Sequence, residues 1–130
     1  MSSTLFTPYK LGPVTLRTRT IRSAAFESMG KDFGPTRQLK DYHVAVARGG
    51  VGMTTLAYAA VCRSGLSFNK QLWLRPEIVP GLREITDAVH REGAAAAIQI
   101  GHCGNMTHWT TAGQMPIGAS TGFNLYAYTP

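Results

Sequence analysis

Between Val51 and Ala60 the chain is an almost unbroken run of apolar residues and threonine, without the alternation of a strand that keeps one face in water. A strand covered on both faces reads this way, and such strands belong to parallel sheets with crossover helices over their faces. Ala94–Ile100 is a second run of the same kind. The segment between them supplies the crossover. Pro80 suits a first helical turn, Leu82, Ile85, Ala88 and Val89 form an apolar stripe, and Gly93 follows Arg91 as a terminator.

The same unit is readable upstream. Thr20–Phe26 is a candidate first core strand, and Ser23, Ala24 and Ala25 near its end are small enough for a flat ligand to approach the backbone. After a loop over Gly30–Pro35, Thr36 reads as the N-cap of a helix. Leu39, His43, Val46 and Ala47 share one face of that helix, and Gly49-Gly50 ends it. His43 on that face is read as a partly buried structural histidine. Leu11–Leu16, a Gly-Pro turn followed by alternation, predicts a short exposed hairpin capping one end of the sheet. Residues 63–75 read as a loop anchored by Trp73 and Leu74. The order is hairpin, β, α, β, α, β, an α/β pattern with a parallel sheet. Residues 102–130 carry no comparable pattern, and a loop of that length is expected to be functional or to lead into further structure.

Composition narrows the function classes. A chain of 130 residues has room for one domain, taken as 1–130, and its 44% apolar and 15% charged content is that of a globular protein. The net charge is +6, but the basic residues are scattered singly, which argues against a nucleic-acid face and for a small anionic ligand such as a phosphate-bearing cofactor. Cys62 and Cys103 make no disulfide framework, no apolar stretch reaches the span of a bilayer, and Met1–Thr4 shows no signal-peptide pattern. The expected compartment is the cytoplasm, with no membrane partner. Cys62, Cys103, His102 and His108 lack the C-x-x-C spacing of zinc sites, so no metal centre is expected.

The unusual polar chemistry is concentrated in Gln99-Ile100-Gly101-His102-Cys103-Gly104-Asn105, at the end of the second apolar run. A carboxamide at a strand end, followed by glycines and a histidine, reads as the floor of a ligand site. Gln99 both donates and accepts hydrogen bonds, which suits a ligand contact and equally the capping of its strand within a loop network.

Six stretches in register resemble one family: Leu5–Gly12, Arg22–Glu27, Ala47–Met53, Pro80–Arg83, Gln99–Gly104 and Pro116–Ser120. The chain resembles the old yellow enzyme group of NADH:flavin oxidoreductases, close to its 2,4-dienoyl-CoA reductase-like and enoate-reductase branches. The resemblance implies a (β/α)8 TIM barrel that binds FMN at the C-terminal strand ends. By the same resemblance, Ser23, Ala24, Ala25 and Phe26 lie along the flavin mainly through backbone groups. Tyr58 matches a usually small residue whose backbone faces the ring, and Gln99 matches the glutamine that bonds the pyrimidine edge of FMN. Phe26 stands where a threonine or cysteine often tunes the flavin, and a phenyl ring cannot make that hydrogen bond. His102 matches a His-Ala-Gly-Arg corner in which Asn105 replaces the arginine; it is read as organising its loop. The implied activity is ene-reductase chemistry, in which NADH or NADPH reduces FMN and reduced FMN reduces an activated alkene such as an enone or enoate.

A barrel of this type takes about 250 residues or more. The expectation is therefore the first three βα units, preceded by a hairpin, with the substrate-binding His-His or His-Asn pair and the proton-donating Tyr of the resemblance lying beyond position 130. No catalytic residue is expected within the chain, and alone it is expected neither to hold FMN tightly nor to reduce an enone. Three units leave two open sheet edges. The alternative reading is a non-catalytic partial barrel that acts as an assembly fragment, including as a homo-oligomer.

Overall fold

The computed structural model describes residues 3–120, 122 and 123. The chain opens with a hairpin, β1 (Tyr9–Leu11) and β2 (Val14–Leu16), paired antiparallel with Tyr9 opposite Leu16. There follow β3 (Ile21–Arg22), α1 (Arg37–Arg48), β4 (Met53–Ala60), β5 (Leu72–Trp73), α2 (Val79–Arg91), β6 (Ala95–Gly101) and a single turn, α3 (Trp109–Ala112). β3 and β6 flank β4, both parallel to it, with Ile21 and Ala95 on either side of Met53. β5 pairs with β4 further along, Leu72 opposite Ala59, and occupies the same edge of β4 as β3 because β6 holds the other.

The helices form where the sequence places them. The Thr36 hydroxyl accepts from the Leu39 amide at 3.2 Å, capping α1. Beyond α2, Gly93 takes a left-handed φ of +77°, which ends the helix at little steric cost. Leu39 and Ala47 of α1, Ile85 and Val89 of α2, Leu56 and Ala59 of β4, and Leu72 of β5 make one core between the sheet and the helices. The opposite face of β4 is only half-buried at Met53, Thr55 and Tyr58. No described helix is long and apolar enough to cross a membrane.

Buried Leu16, the Thr18 hydroxyl on Gly50 O at 3.1 Å and the Arg17 side chain fasten the hairpin. Arg17 directs its guanidinium at the carbonyls of Val51 (3.1 Å), Glu92 (2.5 Å) and Ala47, so it gathers the C-terminal ends of α1 and α2 and the entry to β4. That places a fixed cation where both helix dipoles are negative.

Two elements depart from expectation. Of the segment Thr20–Phe26, only Ile21 and Arg22 pair in the sheet; from Ser23 the chain leaves it. Within residues 63–75, Leu72-Trp73 forms a strand too short to carry a period. It is held by the Trp73 amide on Phe33 O and the Leu74 amide on Ala60 O, both at 2.9 Å.

Candidate functional site

Because β3, β4 and β6 are parallel, their C-terminal ends open on one side of the sheet, and the residues singled out from the sequence all lie there. Ser23–Phe26 follow β3, Tyr58 is near the end of β4, and Gln99 is on β6. Tyr58 owes its position to a bulge. Leu56 faces Ile98 and Ala59 faces Ile100, so Ala57 and Tyr58 together oppose the single residue Gln99. Strict alternation from Leu56 would turn Tyr58 toward the helices. The extra residue gives that place to Ala59, which joins the core with Leu56, and leaves Tyr58 at the mouth.

Tyr58, Gln99, Gly101 and His102 border a recess of about 260 Å³. Gln99 is exposed, and its carboxamide has no hydrogen-bond partner among the described residues. Ser23, Ala24 and Ala25 do not border this recess; the residue that follows them, Phe26, is the one that touches Tyr58. The Phe26 ring meets Tyr58 edge-on at 6.1 Å between centroids and stacks on Phe68 at 4.8 Å, an offset arrangement that aromatic rings favour. Phe68 was not anticipated. Its loop is pinned by buried Gln71, whose Oε1 accepts from the Ser67 amide at 2.7 Å, while the Ser67 hydroxyl bonds Tyr58 Oη.

His102 has the loop-holding role expected of it. Its Nδ1 accepts from the Gly104 amide at 2.9 Å, and Nε2 lies 3.1 Å from Ser64 Oγ. The ring lies across Gly65, where an added Cβ would come within 2.9 Å of it, so only glycine fits.

The sequence reading missed a buried ionic cluster behind these residues. Arg22 Nη1 donates to Glu27 Oε1 at 2.6 Å and to Thr55 O at 2.6 Å, and Nη2 donates to Ala25 O at 3.3 Å. Glu27, with 3% of its side chain exposed, accepts from the Ala57 amide at 3.2 Å. His43 is fully buried, deeper than expected, with Nδ1 2.8 Å from Thr54 Oγ1 and Nε2 3.5 Å from Glu27 Oε1. The favoured tautomer carries its proton on Nε2, facing the carboxylate, and takes the threonine proton at Nδ1. A lone acid five residues after Arg22, in a stretch otherwise free of charge, was the one available signal.

Burial alone would push the Glu27 carboxyl up. Hydrogen bonds from His43, Arg22 and the Ala57 amide, with the Arg22 charge, outweigh it and hold the group below its ordinary 4.5. A carboxylate depressed by folding binds protons more weakly folded than unfolded, so its stabilisation is complete at neutral pH and is lost as pH falls below about 4.5. Denaturant unfolding between pH 7 and pH 3 is expected to show this loss in the wild type, with a shallower slope in Glu27→Gln. Equal slopes would contradict the assignment.

A second recess of about 260 Å³ lies on the outer wall between the N-terminal ends of α1 and α2. Its cations are already engaged, Arg37 with Asp41 and Lys40 with Glu84, each at 3.4 Å, and it offers no ligand chemistry comparable to the mouth.

Residues 4–128 match the NADH:flavin oxidoreductase / NADH oxidase family. The chain belongs to that family. Among its relatives, a 4,4'-dithiodibutanoate disulfide reductase of Rhodococcus erythropolis is 47% identical over 100 residues, covering 77% of this chain and 25% of that protein. A probable N-methylproline demethylase of Rhizobium meliloti is 44% identical over 117 residues, covering 88% of this chain and 17% of the relative. The chain therefore spans a quarter or less of these two family members. The solved old yellow enzyme homologue from Zymomonas mobilis superposes with a TM-score of 0.84 at 23% identity, over 92% of this chain and 34% of that one. That likeness fixes the fold as part of a (β/α)8 barrel, in which β3, β4 and β6 are consecutive barrel strands.

Members of the NADH:flavin oxidoreductase family use FMN, and the mouth fits such a ring. The unpartnered carboxamide of Gln99 matches an edge of adjacent carbonyl and N–H groups, and small residues at Ser23–Ala25 leave the backbone approachable.

Proposed function

We propose that the three strand ends form part of the FMN seat of an ene-reductase-type oxidoreductase. The observation that carries this reading is the alignment of Ser23–Phe26, Tyr58 and Gln99 across consecutive strand ends, with Gln99 opposite the bulge that exposes Tyr58. Gln99 binds and orients the pyrimidine edge. Ser23, Ala24 and Ala25 admit the ring against their backbone, and the Phe26–Phe68 stack adds an aromatic edge beside Tyr58. The chemistry that FMN supplies when bound is hydride transfer, from NADH or NADPH to the β-carbon of an activated alkene such as an enone or enoate. Because two relatives act on a disulfide and an N-methyl group by name, the substrate is set by residues around this seat and not by the barrel.

Titration of the isotope-labelled protein with FMN, followed by amide chemical shifts, tests the seat. Shifts are expected at Ser23–Phe26, Tyr58 and Gln99, with a dissociation constant weaker than about 1 μM because no strand among the described residues pairs with the far edge of β6. Saturating FMN that leaves those amides unmoved overturns the reading.

A second reading, an assembly fragment, draws on the outer edge of β6, unpaired among the described residues, with Ile98 36% and Ile100 57% exposed. Size-exclusion chromatography separates the two: dimers or larger species support it, and a concentration-independent monomer rules it out.

A further inference from the structure

The edge of β4 that faces β3 and β5 is covered in three different ways. Met53 and Thr54 pair with β3, and Ala59 and Ala60 pair with β5. Between them the chain that should continue β3 has left the sheet, which would strand the backbone groups of Thr55 and Ala57 in a buried setting. Two side chains take its place. Arg22 Nη1 donates to Thr55 O at 2.6 Å, and Glu27 Oε2 accepts from the Ala57 amide at 3.2 Å. The pair is joined at 2.6 Å, and Arg22 also holds Ala25 O at 3.3 Å, inside the departed segment.

We infer that Arg22 and Glu27 are positioning residues: they replace the missing strand ladder, so that the Ser23–Phe26 backbone is free to face a ligand and Tyr58 is held at the mouth. The two bonds fall on either side of Leu56, and the second lies within the bulge that directs Tyr58. Stability alone does not explain the pair. A buried ion pair gains little over well-packed apolar residues of the same size, whereas the breaking of one partner is costly. What apolar residues cannot do is accept from Ala57 and donate to Thr55 at once. His43 and Tyr42 of α1 complete the surroundings, the imidazole at 3.5 Å from Glu27 and the Tyr42 ring 5.2 Å from the Arg22 guanidinium. Neither touches Ser23–Phe26 through an interaction of this network. The cofactor half of the inference rests on the FMN reading above; the backbone half does not.

Amide hydrogen exchange and ring contacts in the flavin-free 130-residue protein test the backbone half. In Glu27→Ala, exchange at Ala57 is expected to accelerate about tenfold, the loss of one hydrogen bond. The Phe26–Tyr58 ring contact should disappear while exchange at Ile85 and Val89 stays as in the wild type. Glu27→Gln, whose carboxamide oxygen still accepts from Ala57, should restore both. An unchanged Ala57 and Tyr58 in folded Glu27→Ala overturns the inference. Should that variant fail to fold, Glu27→Asp, one methylene short of Ala57, takes its place with the same expected and overturning results. Titration with FMN then addresses the other half. The shifts at Ser23–Phe26 and Tyr58 should be lost in the variant while those at Gln99 persist, and a full wild-type response in the variant overturns it. A wild type with no FMN response at any of these residues overturns the FMN reading and with it the cofactor half, and leaves the exchange result to stand or fall separately.

Discussion

Arg17→Ala is expected to lower the unfolding free energy by about 3–5 kcal/mol, since three charge-assisted hydrogen bonds to backbone carbonyls are removed together. The acceptors are Val51, Glu92 and Ala47, and two of them end helices, so the loss also removes a cation from the negative end of each helix dipole. For a chain of 130 residues that corresponds to a fall of about 10–15 °C in Tm, readable by circular dichroism. Arg17→Lys should recover only a fraction of it, because a single ammonium cannot present a planar fork to three carbonyls. A melting midpoint within a degree or two of the wild type in Arg17→Ala would show that the hairpin is not held in this way.

Gln99→Leu is expected to weaken FMN binding by about 30–100-fold, enough to erase the FMN-dependent shifts at Tyr58 and Ser23–Phe26. Leucine keeps the volume but leaves the polar edge of the ring against methyl groups. Gln99→Glu should recover little, since an ionised carboxylate accepts without donating and would face the ring carbonyls. The fold should not respond: the Gln99 side chain is exposed and without a partner among the described residues, so its loss is expected to change stability by less than about 0.5 kcal/mol. Unchanged melting with lost flavin response is the signature sought, and unaltered FMN binding in Gln99→Leu would remove Gln99 from the seat.

Much of this molecule is readable before any coordinates. α1 and α2 are set by short-range chemistry, with Thr36 capping one helix and Pro80 and Gly93 bounding the other, and with buried stripes recurring at helical spacing. β4 announces itself as an apolar run because it lies inside a parallel sheet; β6 is a second such run, although its outer edge is unpaired among the described residues and its last residues are exposed. Gln99 stands out because a carboxamide at the end of such a run needs a reason to be there. Arg22 and Glu27 were visible only as letters within a recognisable stretch. Their partners, Thr55 and Ala57, are about thirty positions away and contribute backbone atoms, which no side-chain pattern records.

The sequence by itself determined the α/β class, the two crossover helices and the family, and it singled out Ser23–Phe26, Tyr58 and Gln99 at neighbouring strand ends. Each follows from local periodicity, caps or a recognisable string of residue types that acts over a few positions. Tertiary structure alone decided where the first strand stops, that Ala57 and Tyr58 share one partner on β6, and that Arg17 and Glu27 are spent on distant backbone groups. The reason is that hydrogen-bond demand belongs to the assembled sheet. Only when β3, β4, β5 and β6 are side by side does it become clear which carbonyls and amides are left over, and which charged side chains must answer them.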